Sequence, residues 1–231
     1  LAALGTSSVL ADLPVCGHVE GVIVMGEPIG DAIELFLLQR GLPVVVVDTQ
    51  SKRFSAVAID DRRGGHRAAA HLLGLGHRRI GYIIERQTGG HLSQGRRRLD
   101  GFADEVRAAG YELVLVECDG SLQAKRAALG QLLERSSTAV VAHCDDIALG
   151  ALRGVLELGL RVPLDVSVMG YGDGPGAEAA DLSTVRQPFE ETGLLAAQLL
   201  LAAITKPQPR STTRLCAIVV QRMTTGPTTR T

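Results

Sequence analysis

At 231 residues with 45% apolar content, the chain is long enough for one large domain or two small ones with buried cores. Its 24 basic and 25 acidic side chains leave a formal charge of −1, which excludes a global attraction to phosphate backbones. No apolar run reaches the roughly 18 residues of a membrane-spanning helix, and no basic segment leads into an apolar core at the start, so a soluble cytoplasmic protein is expected.

Short apolar runs alternate with helical patterns along most of the chain, which predicts an α/β fold of parallel sheets flanked by helices. A first strand is read at Leu1 to Leu4, with Pro14 and Gly17 interrupting the helix that would follow it, and further strands at Gly21 to Met25 and Pro43 to Asp48. The stretch Asp60-Asp61-Arg62-Arg63-Gly64-Gly65 then opens a helix that stops at Gly74 or Gly76 and delivers a basic tripeptide into a strand from Arg79 to Ile84. Leu99, Phe102, Val106 and Ala109 give the next segment one apolar helical face, and Ala148, Ala151, Leu152 and Val155 do the same later. Around them, strands are predicted at Glu112 to Glu117, Thr138 to Ala142 and Val166 to Tyr171. Leu182 to Arg186 reads as a short extended piece. Pro188 opens a long helix through Leu194, Ala197, Leu201 and Ile204. After Pro207-Gln208-Pro209 come a last strand, Leu215 to Gln221, and a Thr-rich tail with Gly226-Pro227 that is expected to fray.

No catalytic constellation is legible. Gly74-x-Gly76 follows a helix and precedes a strand, the reverse of a dinucleotide fingerprint, and neither a phosphate-binding G-x-x-x-x-G-K-S/T nor a G-x-S-x-G elbow occurs. Glu190-Glu191 reads as the acidic first turn of a helix. Cys16, Cys118, Cys144 and Cys216 are widely spaced, and three lie in or beside apolar runs, so buried free thiols are expected. No histidine pair has metal-ligand spacing. The expectation is therefore a protein that is not an enzyme and carries neither metal nor cofactor. His71 and His77 read as packing or capping residues, and His91 and Ser93 as part of a polar loop. Asp60 and Asp61 read as hinge and helix-cap residues.

Several strings carry a resemblance in the right order along roughly 190 residues. They are Gly41-Leu42-Pro43-Val44-Val45 leading to Asp48; Asp60 to Ile80, ending Leu75-Gly76-His77-Arg78-Arg79-Ile80; Arg98-Leu99-Asp100-Gly101-Phe102; Cys144-Asp145-Asp146-Ile147-Ala148-Leu149-Gly150-Ala151; Gly159 to Tyr171; Leu182 to Pro188; and Arg222-Met223-Thr224. Together they resemble the effector-sensing domain of lactose-repressor-type transcription regulators. That resemblance implies a two-lobed, periplasmic-binding-protein-like fold whose chain crosses between lobes three times. Residues 1–59 with 187–213 would form a first lobe, incomplete here; residues 60–186 with 214–226 would form the second, and 227–231 a tail. It also implies a small sugar-like effector held between the lobes, a homodimer, and operator DNA bound only through a helix-turn-helix headpiece for which this chain has no pattern. A chain that opens on Leu1 is expected to be part of a longer polypeptide.

The resemblance selects five ligand candidates: Asp48, Arg98, Asp145, Asp173 and Gln187. Asp48 follows four consecutive valines and places a carboxylate, able to accept two hydroxyl hydrogen bonds, at a strand end; a solvated or capping aspartate is the alternative. Of Arg96, Arg97 and Arg98, only one can share the Leu99-Phe102 side, and the family pattern picks Arg98, whose planar fork suits vicinal hydroxyls or a carboxylate. Asp145 fits a helix N-cap as well as a ligand contact. Gln187 could bond ligand or hinge backbone. Two departures stand out: Cys144 replaces a polar amide, and Gly172 stands where the family places an effector-gripping aspartate, so either Asp173 swings inward or the effector differs from a typical sugar. A solute-binding protein of a sugar transporter is the alternative reading of the same fold.

Overall fold

The computed structural model describes residues 19–26, 29–49, 51–86, 93–206 and 208–228. The expected strand at Leu1 to Leu4, Cys16 and His91 lie outside these residues. In chain order the elements are β1 (Val22–Met25), α1 (Asp31–Gln39), β2 (Val44–Val47), β3 (Ser55–Ile59), α2 (Asp61–Gly74), β4 (Ile80–Glu85), α3 (Gln94–Ala108), β5 (Leu113–Cys118), α4 (Leu122–Glu134), β6 (Ala139–Ala142), α5 (Asp145–Glu157), β7 (Ser167–Met169), α6 (Pro175–Ala179), β8 (Thr184–Arg186), α7 (Phe189–Thr205), β9 (Thr212–Leu215) and β10 (Ile218–Val220). They form two compact units, Leu1–Ile59 with Pro188–Leu215 and Asp60–Gln187 with Cys216–Thr231. Gln187 thus belongs to the second unit, where its N–H donates to Gly172 O, and Arg214 and Leu215 belong to the first, where β9 pairs with β3.

In the first unit, β1-β2-β3-β9 form one parallel sheet. The four valines of β2 explain why a continuous apolar run was needed. Val44 and Val46 pack with Leu37 of α1 on one face, while Val45 and Val47 pack with Ala196 of α7 on the other. Strand β3 is absent from the predicted elements, because Ser55-Ala56-Val57-Ala58-Ile59 has small residues where bulky ones announce a strand. The predicted last strand, Leu215 to Gln221, is corrected: Thr212–Leu215 closes the first sheet, and from Cys216 the chain belongs to the second unit, where Ile218–Val220 forms β10.

In the second unit the parallel sheet runs β5-β4-β6-β7. Bridges from Met169 to Ser183 and from Gly172 to Arg186 extend it to β8, which pairs antiparallel with β10. Ile83, Val140 and Ala142 face α4 and α5 through Leu129, Leu132, Ile147 and Ala151. On the opposite face, Tyr82 meets Phe102 of α3 with ring centroids 5.2 Å apart. Helices α2 and α3 cross so closely that a Cβ at Gly65 would sit 2.0 Å from Arg98 O, and one at Gly101 1.9 Å from Arg62 O. The glycines of the Asp60 to Ile80 stretch are therefore contact points between two backbones.

The tail is not frayed up to residue 228. Thr224 and Thr225 are buried, Thr224 bonds Val168 O and Ser183 N, and His77 Nε2 reaches Gly226 O at 3.1 Å. His77 is itself buried, with Thr138 and Ser167 as further partners, which is the packing role read for it. Of the three described cysteines, all are free; Cys118 is buried, Cys144 half-buried and Cys216 exposed, so the expectation of burial fails for Cys216.

Candidate functional site

The second unit's strand order reverses at β4, since the chain goes outward to β5 and returns across β4 to β6. Connections then leave on opposite faces and a crevice opens at the carboxyl ends of the two strands, the usual place for a small ligand in such sheets. The N-termini of α3 and α5 begin at this edge.

Helix α3 is capped by Ser93, whose hydroxyl accepts from Arg96 N, and its first full turn carries Arg98 inward. Arg98 is 9% exposed, whereas Arg96 is exposed and Arg97 half-buried. Arg98 Nε donates to Asp61 Oδ1 at 2.7 Å, Nη1 donates to His143 O at 2.9 Å, and Cζ lies 4.1 Å from the centroid of the Tyr171 ring. Burial alone would lower the guanidinium pKa, but the Asp61 carboxylate and then Tyr171 more than offset it, so Arg98 stays charged. Asp60 caps α2 by accepting from Arg63 N, while the neighbouring Asp61 faces Arg98. Burial first, and Asp61's charge next, raise the pKa of Tyr171, which remains a neutral phenol over Gly64.

The expected capping role of Asp145 is corrected. Cys144 occupies the N-cap and makes no side-chain cap bond, while Asp145 is the first residue of α5. Its carboxylate serves the Gly172 turn instead, accepting from Asp173 N at 2.6 Å, Gly174 N at 3.1 Å and Thr184 Oγ1 at 2.6 Å. Asp173, with φ of 68°, points its carboxylate at two arginines, 2.5 Å from Arg186 Nε and 2.6 Å from Arg222 Nη2, and its side chain is 3% exposed. Burial would raise its pKa, yet the two guanidinium groups prevail and hold it below the usual carboxylate range. Gln187 is buried, and its N–H closes the same turn on Gly172 O at 3.2 Å.

Four of the five candidates, Arg98, Asp145, Asp173 and Gln187, therefore gather at one edge of the second unit. Asp48 belongs to the first unit. It too ends a strand, with φ of 52°, and its Oδ1 accepts from Ile59 N at 2.8 Å. Sequence reasoning read Asp61 as a hinge or helix-cap residue, whereas Asp60 alone is the cap and Asp61 pairs with Arg98, and it gave no role to His143, Tyr171, Thr184 or Arg186. Among the described residues no group of three or more potential metal ligands occurs, and no helix is long and apolar enough to cross a membrane.

A doubly wound second sheet with an arginine-centred polar edge defines a small-ligand-binding module of the α/β class. The periplasmic binding protein-like domain matches residues 69–225, and the chain belongs to this family, as the effector-binding domain of a LacI/GalR-type regulator. It is 37% identical over 187 residues to the HTH-type transcriptional regulator MalR of Streptomyces coelicolor, covering 76% of this chain and 54% of that protein. It is 36% identical over 199 residues to the regulator CelR of Thermobifida fusca, covering 81% and 58%. A LacI family regulator from Enterococcus faecium with bound ribose superposes with a TM-score of 0.86 at 31% identity, over 96% of this chain and 85% of that one. A CelR-cellobiose complex superposes with a TM-score of 0.80 at 31% identity, over 94% and 69%. The chain spans about half the length of the regulators it matches in sequence. These relatives are named as transcription regulators, which supports that reading over a transporter's solute-binding protein.

Proposed function

We propose that this chain is the effector-sensing and dimerising part of a bacterial transcription regulator that works in the cytoplasm and has no enzymatic activity. It binds a small polar ligand, a sugar or sugar derivative, and thereby controls DNA binding by a headpiece elsewhere in the full protein. The observation that carries this reading is Arg98, a guanidinium buried at the strand-order reversal, fixed by Asp61 and the Tyr171 ring and left with Nη2 unbonded among the described residues. Such a preorganised fork recognises ligand oxygens at low reorganisation cost. The sugar-bound structures of relatives support the ligand class. Among the candidates of the second unit, Arg98 acts as the direct contact and Gln187 as a further contact, while Asp145 and Asp173 shape the turn beside the ligand. Coupling to DNA follows from differential affinity of the ligand for two arrangements of the full protein. Calorimetry on the full-length protein with a panel of sugars, polyols and nucleosides tests the claim, alongside sedimentation for the dimer. A protein that binds its operator but none of the panel would overturn the sensor reading.

A further inference from the structure

After Gln187 the chain leaves the second unit, and it returns at Cys216. The strand before the exit, β8, and the strand after the return, β10, pair antiparallel, with Ile218 opposite Arg186 and Val220 opposite Thr184. One carboxylate faces an arginine from each side of this pair. Arg186 ends β8 with Nε 2.5 Å from Asp173 Oδ2, and Arg222, just past β10, sets Nη2 2.6 Å from Asp173 Oδ1. Arg222 is also fixed behind its fork, since its backbone N–H donates to Ser183 Oγ at 2.9 Å and its Nη1 to Leu182 O at 2.7 Å.

Asp173 stands in the turn at the ligand edge, where its own N–H donates to Asp145 Oδ2. The backbone of this turn is bonded to the exit side: Gly172 N–H donates to Val185 O at 2.8 Å, and Gln187 N–H donates to Gly172 O at 3.2 Å. The Asp173 carboxylate extends the same hold to the return side through Arg222. Each of its oxygens lies on a guanidinium and its side chain is 3% exposed, so it serves the ligand edge by what it fastens. The charges make the arrangement one-sided. Without the carboxylate, two like charges would be left on neighbouring strands, and the Arg222 side chain, 15% exposed, has little water to screen it. Removing one partner of a buried ion pair is costly for that reason, and like charges across a strand pair repel.

We infer that Asp173 is a positioning residue that fastens the ligand-edge turn to both strands by which the chain leaves and re-enters this unit, so that turn, exit strand and return strand hold or loosen as one piece. This rests on the effector-binding reading above and extends it from where a ligand is held to how its presence is passed along the chain. Networks of ion pairs and hydrogen bonds with this connectivity are the physical carriers of such coupling.

Hydrogen exchange read by mass spectrometry on the full-length protein tests the fastening with no ligand added. Asp173→Asn keeps the side-chain shape and removes the charge. Exchange in residues 184–187 and 218–222 is expected to rise together by about tenfold, the loss of one charge-assisted hydrogen bond, while β4 stays protected. Arg222→Gln leaves one carboxylate facing one guanidinium and speeds residues 218–222 by less, and Arg222→Lys, which keeps the charge, stays closer to wild type. The double variant Asp173→Asn with Arg222→Gln removes the facing like charges, so residues 184–187 exchange more slowly than in Asp173→Asn alone, a rescue that loss of turn shape would not give. Thermal melting shows which variants keep the fold; if Asp173→Asn does not, the comparison of Arg222→Gln with Arg222→Lys decides. Loosening confined to residues 170–174 in Asp173→Asn, a double variant that exchanges as fast as Asp173→Asn, or equal exchange in Arg222→Gln and Arg222→Lys overturns the inference. None of these outcomes touches the sensor reading, which stands or falls with the calorimetric panel.

Discussion

The sharpest mechanical prediction concerns Gly65, where α2 meets the backbone of α3. Gly65→Ala places a Cβ 2.0 Å from Arg98 O and 2.9 Å from Phe102 N, both backbone atoms that cannot rotate away. In an open helix the same change would stabilise by about 0.5–1 kcal/mol through lost chain entropy. Here the helices must separate, at an overpacking cost of about 1–3 kcal/mol toward its upper end, so the net loss is about 2 kcal/mol. That corresponds to a fall in melting temperature of roughly 4–8 °C for a unit of this size. Gly130→Ala is the internal control, because Gly130 lies inside α4 with nothing within 4 Å of its added Cβ. It should raise stability by about 0.5 kcal/mol or slightly more. Paired thermal and guanidinium unfolding of the two variants reads the difference. Because Arg98 O is the atom struck, Gly65→Ala should also weaken ligand binding without touching any side chain at the site. A Gly65→Ala protein as stable as Gly130→Ala would refute the close-crossing account.

Asp145→Asn replaces a carboxylate that accepts from Asp173 N, Gly174 N and Thr184 Oγ1, and turns an amide NH2 toward donors; a loss of about 3 kcal/mol in chemical denaturation is expected. An unchanged midpoint would mean that the turn holds itself. Arg98→Lys keeps the charge but cannot reach both Asp61 and His143 O while stacking on Tyr171, so calorimetry should show weaker ligand binding and denaturation a loss of about 2 kcal/mol. Acid should also weaken the fold. Burial lowers the pKa of His71 and His77, and burial with Arg98's charge lowers that of His143 to about 4. The unfolded chain, with histidines near about 6.5, binds more protons in between, so this contribution is complete above roughly pH 6.5 and declines toward pH 4. Denaturation midpoints taken at pH 7.5, 6.0 and 5.0 should fall in that order, and a flat series would contradict the burial of these rings.

The sequence was most legible where burial wrote a period into it. The valines of β2, the Ile80 to Ile84 run and the Leu99-Phe102-Val106 stripe are read by the same rule that buries them; the choice of Arg98 among three adjacent arginines came from the family resemblance, and Arg98 is buried. Legibility failed where small or polar residues are buried by hydrogen bonds made at long range. Ser55–Ile59 becomes a central strand only because β2 and β9 lie on either side of it. Thr224, Thr225 and Gly226 look like a loose tail until Ser167, Ser183 and His77 are placed around them. Asp145 sits where a cap would, but the donors that claim it come from residues 173, 174 and 184, a proximity no local pattern encodes. His143 carried no signal for the same reason, since the contact its ring makes, with Glu85 N, comes from the neighbouring strand.

The Gly172 turn also constrains how this site can change over evolutionary time. A side chain at position 172 would enter a backbone with φ of 143° and place its Cβ 2.8 Å from Asp145 Oδ2. Gly172→Asp is therefore not a one-step route to a new carboxylate at this turn, since it must first displace the residue that ties three donors together. A Cβ at Gly170 would likewise lie 2.3 Å from Asp145 Oδ1, so positions 170, 172 and 145 are locked as a group, and a new effector preference has to be acquired around them.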